Sequence, residues 1–416
     1  MPFATDSEIL IPEKLPGPIF TIIEKFLSIL AFFSFIKLNI LFTSESLFLI
    51  LGWSFLTKKL LSTLKAIESF LPVKLIIKKS FIIILFIVFL IDTNNSYSQS
   101  KSIGDYGIIS IMYHRFDENK YPSTNIKIED FKSHINLIKD SNFKFISHKE
   151  FEESLNKNNL NKKILLTIDD AFSSFYVNAW PYIKENKIPF ILFVSTETVG
   201  KNGYMNWEQI IELENEDFAF IGNHSHSHKY LIDYNLENFS RDINKSINIF
   251  EKKIGYNPIF FSYPFGEYSL EQKKFISENF LFAFGQHSGV IDLNKDRLEL
   301  PRFPINEKYG DLNRFDFLTK LLPLQYNKIY PNNKLLKESN NPPNMYIEFF
   351  EDQKNIGLVK CFSNEGGEWR DTYTELIKNK LNIIFKEKFI PRRGRINCSL
   401  NDKEGWRWLG IQFIIS

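Results

Sequence analysis

The sequence predicts an α/β protein whose parallel sheet is closed or nearly closed into a barrel. Two observations carry that reading. Short apolar runs of strand length, at residues 108–112, 164–168, 190–194, 218–221, 259–263 and 281–284, alternate with helical patterns, and strands that alternate with helices need the crossover connections of a parallel sheet. Acids and histidines then stand directly after two of these runs, where parallel folds gather their chemistry at the carboxyl ends of strands.

Taken in order, residues 1–100 form an apolar segment of their own. Lys74, Lys78 and Lys79 precede an unbroken apolar run at 81–91 and a polar stretch with Ser96 and Ser98, the pattern of a secretory signal and too short a run to cross a bilayer comfortably. Further apolar runs flanked by lysine lie upstream at 26–36 and 46–57. Either translation starts near residues 73–79, or these segments form a membrane-associated helical anchor. Both readings place the rest of the chain outside the cytoplasm, in a periplasm or at a cell surface. A soluble helical bundle is the blander reading, and phenylalanine and isoleucine on every face of the runs speak against it.

Residues 101–325 carry the alternating pattern. Phe131, Ile135 and Ile138 share one helical face, as do Phe239, Ile243, Ile247 and Phe250, so each helix has a stripe to lay on the sheet. Residues 326–345 are polar and proline-bearing without a period and read as a linker. Residues 346–416 contain strand-like runs at 347–350, 356–361 and 411–415, and predict a small β-rich module. Cys361 and Cys398 both fall there; outside the cytoplasm such a pair most simply forms a disulfide. Trp369, Trp406 and Trp408 suit stacking on sugar faces, with core packing as the alternative.

Composition narrows the function classes. An apolar fraction of 44% with 42 phenylalanines in 416 residues is ample for a sizeable core. A net charge of +2, with lysines interleaved among acids, excludes the basic face that nucleic-acid binding needs.

The chemistry concentrates at two places. Residues 164–168 end on Asp169 and Asp170, and His224-Ser-His226-Ser-His228 follows residues 218–222 and Asn223. A carboxylate and two imidazoles can hold zinc or a similar divalent ion and leave positions open, while the spare carboxylate acts as a base. The blander reading makes Asp169 and Asp170 a helix cap and the histidines solvated loop residues. If the histidine segment is helical, His224 and His228 share a face and His226 points elsewhere. Glu208 reads as a dipole-complementing acid at a helix start and Trp207 as a wall of the cleft.

These residues carry a family resemblance. Thr167-Ile168-Asp169-Asp170-Ala171 is similar to the first motif of the polysaccharide deacetylases, carbohydrate esterase family 4 with its NodB-homology domain. His224-Ser-His-Ser-His228, with Leu231 three residues on, is similar to the second, and Phe261-Ser-Tyr263-Pro264-Phe265-Gly266 to the third. The resemblance runs from about Tyr106 to Phe315. It implies a distorted barrel of about seven strands, Asp169 as catalytic base, and Asp170, His224 and His228 as metal ligands. Zinc is the expected cofactor, with cobalt, nickel or manganese also able to occupy such a site. The implied reaction is hydrolysis of N-acetyl groups on amino sugars of a polysaccharide or oligosaccharide, such as poly-N-acetylglucosamine, peptidoglycan or a chitin-like chain.

Four departures qualify the resemblance. Ala171 replaces a glycine, which a turn without positive φ accepts. Ser262 replaces an arginine that orients the base, and Arg302 is the nearest later substitute. Phe265 replaces a tyrosine whose main-chain N–H helps hold the oxyanion, and Tyr263 with Pro264 reads as a site wall. The late histidine that protonates the leaving amine has no counterpart by alignment, so His287 and His114 are the candidates by chemistry, each with a structural role as its alternative. An amidase for a small non-sugar substrate and a carbohydrate-binding protein with a degenerate site are the rival readings.

Overall fold

Strand-forming and helix-forming segments alternate along the first two thirds of residues 106–415, the part of the chain that the computed structural model describes. The signal-like and anchor readings fall on earlier residues, outside the described ones. β1 (Ile108–Tyr113) leads through β2 (Arg115–Phe116), β3 (Asn125–Ile126), α1 (Ile128–Lys139), β4 (Lys144–Phe145) and α2 (His148–Lys157) to β5 (Lys163–Asp169). Then come α3 (Trp180–Asn186), β6 (Phe190–Val194), α4 (Trp207–Glu214), β7 (Ala219–Asn223), α5 (Leu236–Ile254), β8 (Phe260–Ser262), α6 (Leu270–Ser277), β9 (Phe282–Phe284), β10 (Phe303–Pro304) and α7 (Leu312–Thr319).

The strands form a curled parallel sheet in the order β10-β1-β5-β6-β7-β8-β9, with β4 beside the start of β5. A bridge between Phe284 and Leu300 brings the chain entering β10 alongside β9, so the sheet bends back toward its own first edge. This is the α/β half-barrel that the alternation predicted. All six apolar runs are strands of it; β10, two residues long and ending in proline, carries no periodic signal.

The period of two decides which side chains enter the barrel. Ile108, Leu165, Ile191, Phe193, Phe260, Phe282 and Phe284 pack together, closed off by Phe151 and Leu155 of α2. The alternate residues Ile109, Ile111, Ile164, Leu166, Ile168, Leu192 and Val194 pack instead with Phe131, Ile135 and Ile138 of α1 and Ile210 of α4. Gly222 is glycine because a Cβ there would stand 2.5 Å from the Phe193 ring. Sharp caps end the helices: Ser147 and Glu150 form a capping box on α2, and α5 runs from Asn235 to a left-handed Gly255.

The C-terminal part is a second sheet. Its strands are β11 (Leu322–Pro323), β12 (Lys328–Tyr330), β13 (Leu335–Leu336), β14 (Met345–Glu348), β15 (Lys360–Ser363), β16 (Arg370–Ile377), β17 (Lys380–Ile384), β18 (Arg393–Asp402) and β19 (Gly405–Ile415). They run in the order β11-β19-β18-β15-β16-β17-β14-β12, with β13 also on β19. The segment read as a linker, 326–345, thus supplies β12 and β13; they are too short for a periodic pattern. Trp408 packs against the barrel's outer core and donates to Ser288 Oγ, whereas Trp369 and Trp406 are exposed.

Cys361 and Cys398 are register partners on β15 and β18 and form a disulfide inside this sheet's core. The crosslink spans 37 residues, so its loss frees a loop in the unfolded chain. Cys398→Ser is expected to cost about 2–4 kcal/mol of unfolding free energy, read from denaturant titration of oxidised wild type and variant. Equal midpoints would contradict a stabilising role.

Candidate active site

Leu165, Thr167 and Asp169 alternate along β5 on the inward face, so the last of them projects into the barrel mouth. Asp169 is wholly buried there. The chain then turns through left-handed conformations at both Asp170 (φ 74°) and Ala171 (φ 53°). The expectation that Ala171 sits in a turn without positive φ is therefore corrected. Met205 N–H donates to the Ala171 carbonyl at 2.9 Å, and Phe172 bridges Tyr204, contacts that hold a conformation costing about 1–3 kcal/mol per residue.

The histidines follow β7 on a loop rather than a helix. Asn223 Oδ1 accepts from Ser225 N–H at 2.8 Å, Ser225 Oγ accepts from His228 N–H at 3.1 Å, and Asp242 of α5 accepts from the main chain of His226 at 2.8 Å. This folded loop, with positive φ at Ser225 and His228, brings the two outer histidines together. His226 turns away to Thr196 Oγ1, 2.9 Å from its Nδ1. The expected divergence of His226 holds, but side-chain clamps on a loop produce it, not helical spacing.

Asp170, His224 and His228 each offer an atom within 4.8 Å of the others. His228 Nε2 lies 3.0 Å from Asp170 Oδ1, and His224 Nε2 lies 3.5 Å from the same oxygen and 3.9 Å from Asp169 Oδ2. His224 donates from Nδ1 to the Ser262 carbonyl at 2.6 Å, which leaves Nε2 as a lone pair. That lone pair is buried without a hydrogen-bond partner. Burial lowers the ring to about 4, against the pull of Asp169, so no proton separates it from the carboxylates at neutral pH. A buried lone pair facing carboxylate oxygens is a repulsive arrangement that a cation resolves, and the donor set fits a divalent metal.

Burial pushes both carboxyls up, yet both end below the usual range. For Asp169 the Arg302 guanidinium is the largest opposing cause, followed by His224; for Asp170 it is His228, which is itself raised because Asp170 outweighs its burial. Arg302 enters just before β10, fully buried, near the Phe193 and Phe284 rings. It grips Asp169 with two bonds of 2.6 and 2.8 Å and donates also to Ser262 Oγ at 2.8 Å, Thr167 Oγ1 at 3.3 Å and the Gly285 carbonyl at 3.0 Å. Those contacts use every guanidinium N–H. Arg302 therefore orients Asp169, as expected of the substitute for the missing arginine; its further grouping with substrate or oxyanion contacts is corrected, since no donor remains for one. Ser262, small and hydroxylated, leaves the room that the guanidinium fills.

Other expected site residues divide. Among the charged neighbours of His114 are Asp169, Asp170, Arg302 and His228, so β1 delivers this ring to the site, with its pKa lowered by burial. The strongest electrostatic neighbours of His287 are instead Glu299, Lys295 and Lys334, and burial lowers it to about 4. His287 is thus corrected: it lines a crevice between the two sheets with Tyr326 and Gly410. Tyr263 is also corrected as a substrate contact. Its ring packs with Phe261 and Tyr268, and its hydroxyl has no partner among the described residues. Phe265 does reach the site, its ring centre 4.8 Å from that of His228. Trp207 packs edge-on against Phe250 of α5. Asp242 and Tyr230, which stacks on Phe265, were missed; only the Asn223-His-Ser225 turn left a local signal.

Residues 156–279 match the family model described as polysaccharide deacetylase. Residues 156–279 belong to the polysaccharide deacetylase family. The poly-beta-1,6-N-acetyl-D-glucosamine N-deacetylase of Staphylococcus epidermidis is 24% identical over 193 residues, covering 43% of this chain and 67% of that one. The Staphylococcus aureus (strain MRSA252) enzyme of the same name is 23% identical over 213 residues, 48% of this chain and 73% of its own. Among solved structures, the Streptococcus pyogenes deacetylase PplD in complex with acetate aligns with a TM-score of 0.46 at 21% identity, over 50% of this chain and 95% of that one. IcaB from Ammonifex degensii aligns with a TM-score of 0.45 at 23% identity, over 50% and 94%. The family match ends at residue 279, short of Arg302 and of the whole second sheet.

Proposed function

We propose that this chain is a metal-dependent hydrolase that removes N-acetyl groups from an amino-sugar polysaccharide of the poly-β-1,6-N-acetylglucosamine type. The observation that carries the reading is the unpartnered His224 Nε2 converging with Asp170 and His228, beside an Asp169 held by Arg302. The relatives named for that substrate support the polymer class.

Asp170, His224 and His228 would hold the ion; zinc suits them best, and cobalt, nickel or manganese could replace it. When bound, such an ion polarises the acetamide carbonyl and lowers the pKa of water. Asp169, kept anionic and aimed by Arg302, accepts the proton of the attacking water. His114, a neutral ring at rest, takes that proton up and passes it to the departing amine. The main-chain N–H at Phe265 is the proposed donor to the oxyanion. The products are acetate and a glucosamine unit whose new amine is cationic, so the polymer changes charge without being cut. The Cys361–Cys398 disulfide supports a periplasmic or cell-surface setting, and the apolar N-terminal segment would supply any membrane attachment. The rival reading of a binding protein with a degenerate site rests on the missing arginine and the missing late histidine; Arg302 stands in the first place, and His114 is the proposed substitute for the second.

Acetate release from acetylated β-1,6-glucosamine oligomers, abolished by chelation and restored by zinc, is the expected result. Bound metal without acetate release would sink the reading. Zinc affinity should also fall with pH. Burial lowers His228, but Asp170 raises it further, so protons compete with zinc for this ring more strongly than for an ordinary histidine. Below the raised pKa the affinity should drop about tenfold per pH unit as the pH falls, read by competition titration. A flat profile would contradict coordination by His228.

A further inference from the structure

The second sheet reaches the rim of the site. Gln412 of β19 donates from Nε2 to the carbonyls of Phe265 and Gly266, both at 3.2 Å, while its Oε1 accepts from Arg395 at 3.3 Å. That acceptor role decides which end of the amide faces the turn. Phe265 holds φ 60°, a conformation an aromatic residue keeps only where its surroundings over-determine it. Gly266 is packed as closely, since a Cβ there would stand 2.5 Å from Gln286 N.

Arg392, just before β18, makes a second connection. Its guanidinium bonds Glu267 at 3.0 Å and Asp233 at 2.8 Å and lies 4.0 Å from the centre of the Tyr230 ring. Tyr230 stacks on Phe265 at 4.2 Å, and Phe265 meets His228 at 4.8 Å. A guanidinium and three rings therefore stand in contact sequence, from the second sheet to one of the three residues that would hold the ion.

We propose that the C-terminal sheet is a positioning element of the active site: Gln412 and Arg392 hold the 264–267 turn and the Tyr230–Phe265 pair, and through them the His228 ring. Neither residue touches substrate. The inference rests on the reaction proposed above, because the turn carries the proposed oxyanion donor and the stack ends on His228. A shift of that turn misplaces both at once, whereas the barrel that binds Asp169 and Arg302 stays as it is.

The test uses the full chain. Gln412→Met keeps the volume and removes the donor; Gln412→Lys restores one. Gln412→Met is expected to lower kcat between about tenfold and ~10²-fold, with KM within about twofold. Zinc stoichiometry and the unfolding midpoint should stay at wild-type values, and Gln412→Lys should recover most of the rate. Amide hydrogen exchange in the peptide 261–268 should quicken in Gln412→Met. Unchanged kcat, or unchanged exchange, overturns the proposal. Should the wild type release no acetate, the proposed reaction fails, and the exchange comparison alone still decides whether Gln412 holds the turn.

Discussion

His224→Ala is expected to abolish metal binding and lower acetate release by about 10³-fold or more, since the ion's share of transition-state stabilisation amounts to several kcal/mol. The ring is the buried one of the pair; its Nε2 has no hydrogen bond to lose, and its Nδ1 gives up one, to the Ser262 carbonyl at 2.6 Å. The variant should therefore fold, and its zinc content by atomic spectroscopy should fall from one equivalent toward none. Retention of a full equivalent would remove His224 from the ligand set, and with it the reason for the unpartnered lone pair.

Asp169→Asn should behave in the opposite way with metal. Asp170, His224 and His228 are untouched, so zinc stays, while loss of the base lowers kcat by about 10² to 10⁴-fold. The structure adds a cost that the motif alone does not predict. Asp169 and Arg302 are both wholly buried and doubly bonded, and the neutral amide leaves the guanidinium without its counter-charge. Stability should fall by about 3–5 kcal/mol, read from denaturant unfolding. Replacing both partners, Asp169→Leu with Arg302→Met, should recover part of that stability and none of the rate, because no unpaired charge remains in the interior. A single variant as stable as wild type would show that the pair does not act as drawn; loss of zinc from it would mean Asp169 is itself a ligand.

Much of the barrel was legible because its signal is local. Ile164 to Ile168 is apolar over a strand's length and ends on two acids, and the same alternation that buries Leu165 carries Asp169 into the mouth. Other features were not legible, each for its own reason. Ala171 looks like a tolerated substitution until the φ of the turn is seen. His114 and His287 are the same residue type, each after a strand, and only the curl of the sheet sends one to Asp169 and the other into the crevice against Glu299. β12 and β13 are too short to show a period.

The sequence by itself determined the class of fold and pointed to Asp170, His224 and His228 as candidate ligands, because strand alternation and each short motif are properties of neighbouring positions. Only the tertiary structure decided what supports them. Arg302 meets Asp169 across 133 residues, and Gln412 meets Phe265 across 147. Contacts that distant are set by how the sheet curls and where the second sheet docks, and no local pattern of residues records either.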